Sequence, residues 1–207
     1  MKENQDYIRD IAEIRTMMER SSKFLSLSGW AGVMAGIYAL AGAYIAHQVF
    51  NFNPGETGYG TASGSLFPEM AKVIFLAISI LVLAITTAIF LSYKKADKRG
   101  EKLWNATARQ LLTSMAVPLV TGGLLILVLI SNGIISLIAP FTLIFYGLAL
   151  YNASKFTYEE VKFLGLIEIG LGLIGSYHTG YGLLFWALGF GVFHIIYGIY
   201  IHFRHER

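Results

Sequence analysis

The sequence contains no cysteine, and only 14% of its 207 residues are charged. The absence of cysteine excludes disulfide bonds, thiolate catalysis and cysteine-ligated metals or clusters. Familiar catalytic motifs are also missing, because there is no HExxH, no G-x-S-x-G and no phosphate-binding Walker loop. An enzyme is therefore the least favoured function class, and no cofactor can be named from these residues.

The scarcity of charge accompanies 55% hydrophobic residues, a composition far from that of an average soluble protein. The charges cluster between apolar segments, most of which approach the length of about 20 helical residues that crosses a bilayer. We predict an all-α polytopic membrane protein with six transmembrane helices arranged as three antiparallel hairpins. The six segments are approximately 24–47, 71–93, 111–130, 134–152, 163–177 and 181–203.

Lysine and arginine are absent from three alternate connections, 49–70, 131–133 and 178–180, and are frequent in the others. The positive-inside rule then places both termini in the cytoplasm and the protein in the cytoplasmic (inner) membrane, in contact with the lipid bilayer. The net charge of +3 is mainly a topology signal, so nucleic acid is not a predicted partner.

The chain before the first apolar segment is predicted to form a cytoplasmic amphipathic helix over residues 1–23. Ile8, Ile11 and Met18 recur there at helical spacing. This helix either lies on the inner leaflet or docks a cytoplasmic protein, and its five acids balanced by five bases favour the protein contact. The transmembrane domain follows over residues 24–203, with a cytoplasmic tail at 204–207.

One carboxylate, Glu168, interrupts the apolar run LGLIEIGLG in the fifth segment. An ionised side chain in hydrocarbon costs several kcal/mol, so Glu168 must be neutral, paired or facing a wetter cavity. Counting residues along antiparallel neighbours places His194 within one to two helical turns of the same depth. We expect the two to meet, with Tyr146 and Tyr197 as further hydrogen-bonding groups. Whether the pair only fixes helix register or binds a proton or cation stays open.

Small residues indicate where helices approach each other closely. Ala31, Ala35, Ala39 and Ala43 form a ridge on the first helix, and glycines of the fifth and sixth segments are expected to form a second tightly packed region. The same residues suit contact with a second copy of the chain, so a homo-oligomer is a further expectation.

Two histidines fall at predicted outer helix ends, His47 and His178. A speculative metal site would combine them with Glu56 or Glu69, although their spacing is not diagnostic.

Both ends of the chain resemble a family of small polytopic bacterial inner-membrane proteins. The resemblance rests on MMERSSKFLSLSGWAGVMAGIYALAGA near the start and ALGFGVFHIIYGIYIHFRHER at the end. It implies a six-helix fold in a bacterial cytoplasmic membrane, but it implies no activity and no site residues.

The function favoured by the residues is binding or transport of a small solute or ion through a polar site at Glu168 and His194. The alternative is a sensor or scaffold without transport. It would engage a cytoplasmic regulator through the N-terminal helix and the connection 94–110.

Overall fold

The computed structural model describes residues 23–53 and 66–206, with side chains of the second range from residue 70. The predicted amphipathic helix therefore lies outside the described residues. Within them the chain forms six helices and no strand, as expected for an all-α protein. The helices are α1 (Gly29–Tyr44, continued by a π-helical turn Ile45–Val49), α2 (Leu66–Lys98), α3 (Ala106–Ser131), α4 (Ile138–Ala153), α5 (Glu160–Tyr177) and α6. The last, α6, comprises Gly182–Trp186, a π-helical segment Ala187–Phe193 and His194–His205.

Five of these helices are long and apolar enough to cross a membrane, judged by length and composition. Their outward side chains suit hydrocarbon, since Phe75 is 74% exposed and Val117 71% exposed. Helix α5 is not among the five; its 18 residues include the ionisable Glu160, Lys162 and Glu168. The sixth crossing and the grouping into three hairpins remain predictions.

Helices α1 and α6 touch backbone to backbone. A Cβ atom added at Gly198 would lie 2.5 Å from the carbonyl oxygen of Gly29, and one added at Gly36 would lie 2.6 Å from that of Gly191. Because the residue numbers run in opposite directions along the two helices, these helices are antiparallel. The glycine face of α1, with Gly29 and Gly36, thus contacts α6.

Helices α4 and α5 form the second close pair. A Cβ atom at Gly147 would lie 2.6 Å from the Gly165 carbonyl oxygen, and one at Gly172 would lie 2.7 Å from that of Pro140. Most glycines of α5 and α6 are tightly packed, as expected, although they do not share one interface. Most of them serve two different interfaces, α4–α5 and α1–α6.

The first helix begins at Gly29, five residues later than the sequence predicts. Residues 24–28, which precede it, form no regular helix, and their backbone bonds to the connection between α4 and α5. Phe24 N–H donates to the Phe156 carbonyl at 2.6 Å, and the Tyr158 hydroxyl donates to the Leu25 carbonyl at 2.7 Å.

Glu206 ties the ends of three helices together. Its carboxylate accepts hydrogen bonds from the Gly29 N–H and Lys95 Nζ, both at 2.8 Å, and pairs with His202 Nδ1 at 2.7 Å. Burial raises the pKa of this carboxyl, but the bonds from His202, Lys95 and the Gly29 N–H, with the Lys95 charge, outweigh burial and lower it to about 2. The sequence analysis assigns residue 206 to a cytoplasmic tail. In the structure its carboxylate bonds to residues of α1 and α2 and so connects them to the end of α6.

Candidate functional site

The carboxylate of Glu168 lies in the middle of the bundle with no exposed surface. Its Oε1 is 3.2 Å from His194 Nδ1, so the two residues that the sequence predicts to meet are in contact. The geometry of that contact is not that of a hydrogen bond. Among the described residues, neither carboxylate oxygen has a hydrogen-bond partner. A buried polar group in this condition is uncommon and calls for an explanation.

The imidazole of His194 is held from both sides and is only 5% exposed. Its Nδ1 lies 3.0 Å from the carbonyl oxygen of Gly189, and its Nε2 lies 3.1 Å from the Tyr146 hydroxyl. Since a carbonyl can only accept, we assign the hydrogen of the neutral ring to Nδ1. Nε2 then accepts from Tyr146, and the Nδ1–H faces both Gly189 and Glu168.

Gly189 makes room for the carboxylate. A Cβ atom at this position would lie 2.4 Å from Glu168 Oε2 and 2.5 Å from Leu143 Cδ2. The glycine sits in the π-helical segment Ala187–Phe193, immediately before His194. Such wide turns are rare, and they recur at functional sites. Sequence analysis treats Gly189 only as a packing glycine, because nothing in the sequence marks its contact with an acid on another helix.

Two tyrosines were expected to form hydrogen bonds with Glu168 or His194, and only one of them does. The Tyr146 ring lies 4.9 Å from Phe190 and 5.5 Å from His194, centroid to centroid, and its hydroxyl bonds to the imidazole. The hydroxyl of Tyr197 is buried and bonds to no described residue. Tyr146 therefore orients the histidine, whereas Tyr197 does not bond to the pair.

The arrangement suits a proton better than a metal ion. A lone carboxylate charge is strongly disfavoured without water, so Glu168 is either protonated or paired with an imidazolium. In the first state the carboxyl group carries the proton, and in the second the imidazole carries it. Both states fit the same space, because only a proton is moved, gained or lost. A dehydrated hard cation would need about six oxygen ligands. The described residues contain no group of three His, Asp or Glu side chains that could hold a metal.

The predicted metal residues lie elsewhere. His47 is exposed in the π-helical turn that ends α1, and His178 is exposed after α5, where its ring contacts Tyr177 edge-on at 4.9 Å. Glu56 and the side chain of Glu69 fall outside the described residues. This metal site stays a prediction.

Comparison with known proteins gives no relative: no protein-family model matches the chain, and neither a curated protein nor a solved structure does. The family resemblance of the chain ends, with the bacterial inner-membrane location it implies, therefore remains an expectation.

Proposed function

We propose that this chain is a multi-pass membrane protein that binds and releases a proton at Glu168, coupling that event to movement of a small solute or ion. One observation carries the proposal, the burial of both Glu168 oxygens beside His194 without a hydrogen-bond partner in the described chain. An acid kept only to fix helix register would gain stability from hydrogen bonds. An intramembrane acid left without them is a functional candidate.

The surrounding groups form a short proton relay. In one pass the Tyr146 hydroxyl gives its proton to His194 Nε2 at 3.1 Å, and the Nδ1–H gives its proton to an ionised Glu168 carboxylate at 3.2 Å. The Tyr146 oxygen, left negative, must then take up a new proton from outside the relay. The proton gained at Nε2 balances the one lost from Nδ1, so the imidazole stays neutral after each transfer. The ring then carries its hydrogen on Nε2 and must exchange it before the next transfer.

The proposed topology has six crossings and both termini in the cytoplasm. It is supported by the meeting of the start of α1, the end of α2 and the end of α6 at Gly29, Lys95 and Glu206. The connection between α4 and α5 joins the same end through Tyr158, whose hydroxyl lies 3.2 Å from Lys95 Nζ. These are the chain regions that carry the basic residues, as the positive-inside rule requires of a cytoplasmic face.

The first test is infrared spectroscopy of the protein in lipid vesicles between pH 5 and 8. We expect a buried protonated carboxyl band that changes with pH and vanishes in Glu168→Gln. The matched control is Asp97→Asn, which removes an exposed carboxyl near the end of α2 and should leave the band in place. Proton flux, followed with a pH dye inside the vesicles, should be lost in Glu168→Gln and kept in the control.

Stability separates this proposal from a purely structural role. If Glu168→Gln lowers the free energy of unfolding by about 2 kcal/mol or more at each pH, the carboxylate is a structural partner and the proposal fails. Unchanged or improved stability, together with loss of flux, supports it.

The scaffold alternative gains no support from the connection 94–110. Lys95 donates to the Leu27 carbonyl at 2.6 Å, and Arg99 donates to the Leu25 carbonyl at 3.0 Å. Glu101 accepts a bond from Ser26 at 2.9 Å. These three side chains bond to residues 25–27 of the same chain, which leaves them less able to engage a regulator.

A further inference from the structure

A groove of about 530 Å³ lies between α5 and α6, distinct from the Glu168 and His194 contact. This volume lies in the range of small-molecule sites. The polar residues of the groove are at one end, where α5 begins and α6 ends, and they are Glu159, Glu160, Tyr200 and Arg204. Its remaining lining is apolar or aromatic, and consists of Phe163, Leu164, Ile167, Phe193, Ile196 and Tyr197.

The groove is long enough for an amphiphilic molecule. From Glu160 to Ile167 the α5 wall runs seven residues, which is about 10 Å along the helix axis. A ligand with a charged head at the polar end and an apolar body against Phe163 and Ile167 would match both halves. Phe163 is 63% exposed, so its ring face is open to such a body.

The charged residues that line the polar end of the groove are two carboxylates and one guanidinium. Glu160 is already neutralised, since its carboxylate lies 3.3 Å from Arg204 Nε and 3.0 Å from His205 Nε2. Glu159 is exposed and has no ion-pair partner in the described part of the chain. Among the charged residues that line the groove, Glu159 is thus the one without an ion pair, and its carboxylate favours a cation as the neighbouring head group. Lys23 and Arg99, together with Glu101, line the adjoining cavity on its other side.

The aromatic rings of the groove add to this preference, because the face of an aromatic ring attracts cations. The groove already shows one such contact, with the Arg204 guanidinium 5.6 Å from the centre of the Tyr200 ring. We propose that this groove binds a lipophilic organic cation, with its charge beside Glu159 and its apolar body against Phe163 and Ile167. The proposal is independent of protonation at Glu168.

The test measures equilibrium binding of radiolabelled tetraphenylphosphonium to the full chain in nanodiscs of zwitterionic lipid, with empty nanodiscs subtracted. Tetraphenylborate, an anion of the same shape, is the matched probe. We expect saturable binding of one cation per chain and none of the anion. Equal binding of both ions, or no saturable binding of the cation, would overturn the proposal without any variant.

Two pairs of variants locate the site. Glu159→Gln should weaken binding by about two- to fivefold, the effect expected of one exposed charge, whereas Asp97→Asn removes an exposed acid of α2 and should change nothing. Ile167→Trp should fill the groove and abolish binding, whereas Ile174→Trp, on the same helix outside the groove, should retain it. Loss of binding in both tryptophan variants, or in neither, contradicts this location.

The assay reads occupancy by the cation, while infrared spectroscopy reads protonation of Glu168. Failure of one therefore leaves the other standing. Binding that persists after Ile167→Trp would assign the cation to another surface, and a lipid chain would then be the better occupant of the groove.

Discussion

Gly189→Ala tests whether the space beside Glu168 is as tight as the structure shows. The added methyl group would meet the carboxylate at 2.4 Å and Leu143 at 2.5 Å, both well inside van der Waals contact. Neither neighbour can retreat easily, because Leu143 and Glu168 are both fully buried. The substitution must therefore displace the acid, the leucine or the helix itself.

The expected loss follows from two opposing effects. Overpacking a close-packed interior costs about 1–3 kcal/mol, and two simultaneous short contacts place Gly189→Ala at the upper end of that range, about 3 kcal/mol. Alanine recovers about 1 kcal/mol relative to glycine, through its better helix propensity. The net loss in the free energy of unfolding is then about 2 kcal/mol.

Gly170→Ala is the matched control. This glycine lies on α5, and among the described residues no atom outside its own helix backbone lies within 4 Å of the position of its added Cβ. It should therefore show only the gain, about 0.5–1 kcal/mol. Denaturant or thermal unfolding in detergent measures both variants. If Gly189→Ala is as stable as Gly170→Ala, the tight contact with the carboxylate does not exist.

A double variant isolates the contribution of the carboxylate. Glu168→Ala removes the oxygen that the new methyl group would meet and leaves the contact with Leu143. Gly189→Ala should therefore cost about 1–2 kcal/mol less in that background than in the wild type, a coupling typical of residues in direct contact. Additive effects would show that the two positions do not touch.

Three further predictions concern hydrogen bonds and helix contacts, each checked by unfolding measurements. Tyr146→Phe leaves His194 Nε2 without its partner and should cost about 1–3 kcal/mol, whereas Tyr197→Phe removes a hydroxyl with no described partner and should cost less than about 0.5. Glu206→Gln should cost about 1–2 kcal/mol at pH 7. Because the folded pKa of Glu206 is about 2, below its ordinary 4.5, the carboxylate stabilises the fold above pH 4.5. The difference in free energy of unfolding between the wild type and Glu206→Gln should therefore shrink as the pH falls toward 2. Gly198→Ala places a methyl group 2.5 Å from the backbone of α1, which cannot yield, so we expect a loss of about 3 kcal/mol or more.

Much of the fold was predictable because long apolar runs specify helices of membrane-crossing length. The start of α1 was not, since residues 24–28 are as apolar as the helix that follows them. They stay outside the helix because Phe24 bonds to Phe156 and to Thr157, whose hydroxyl donates to the Phe24 carbonyl at 2.8 Å. Such bonds join residues more than 130 positions apart, and hydropathy carries no record of them.

The small residues gave the faces of close contact but not the partner of each face. A run of alanines and glycines indicates that the backbone of another helix comes close to this face. Any helix with a similar face of small residues could be that partner. Gly198 could therefore have faced α5 as readily as α1. The choice depends on the packing of all six helices together, which no single segment determines.

The contact between Glu168 and His194 could be predicted from the sequence, because the depth of a residue along a helix follows from counting residues. Depth does not depend on how each helix is rotated about its axis. The position of Gly189 does depend on rotation, and the π-helical segment upsets the regular period from which faces are inferred.

The π-helical segment and the buried acid are best understood together. One extra residue in a helix rotates everything beyond it by about 100°, so the wide turn at Ala187–Phe193 sets which face of α6 carries His194. The same turn brings the Gly189 carbonyl within 3.0 Å of the imidazole and leaves only a hydrogen atom against the Glu168 oxygen. A rare helical form persists only where its surroundings determine it. Here it holds a histidine beside a carboxylate that has no other described partner, and this favours a site for proton exchange over a device for fixing helix register.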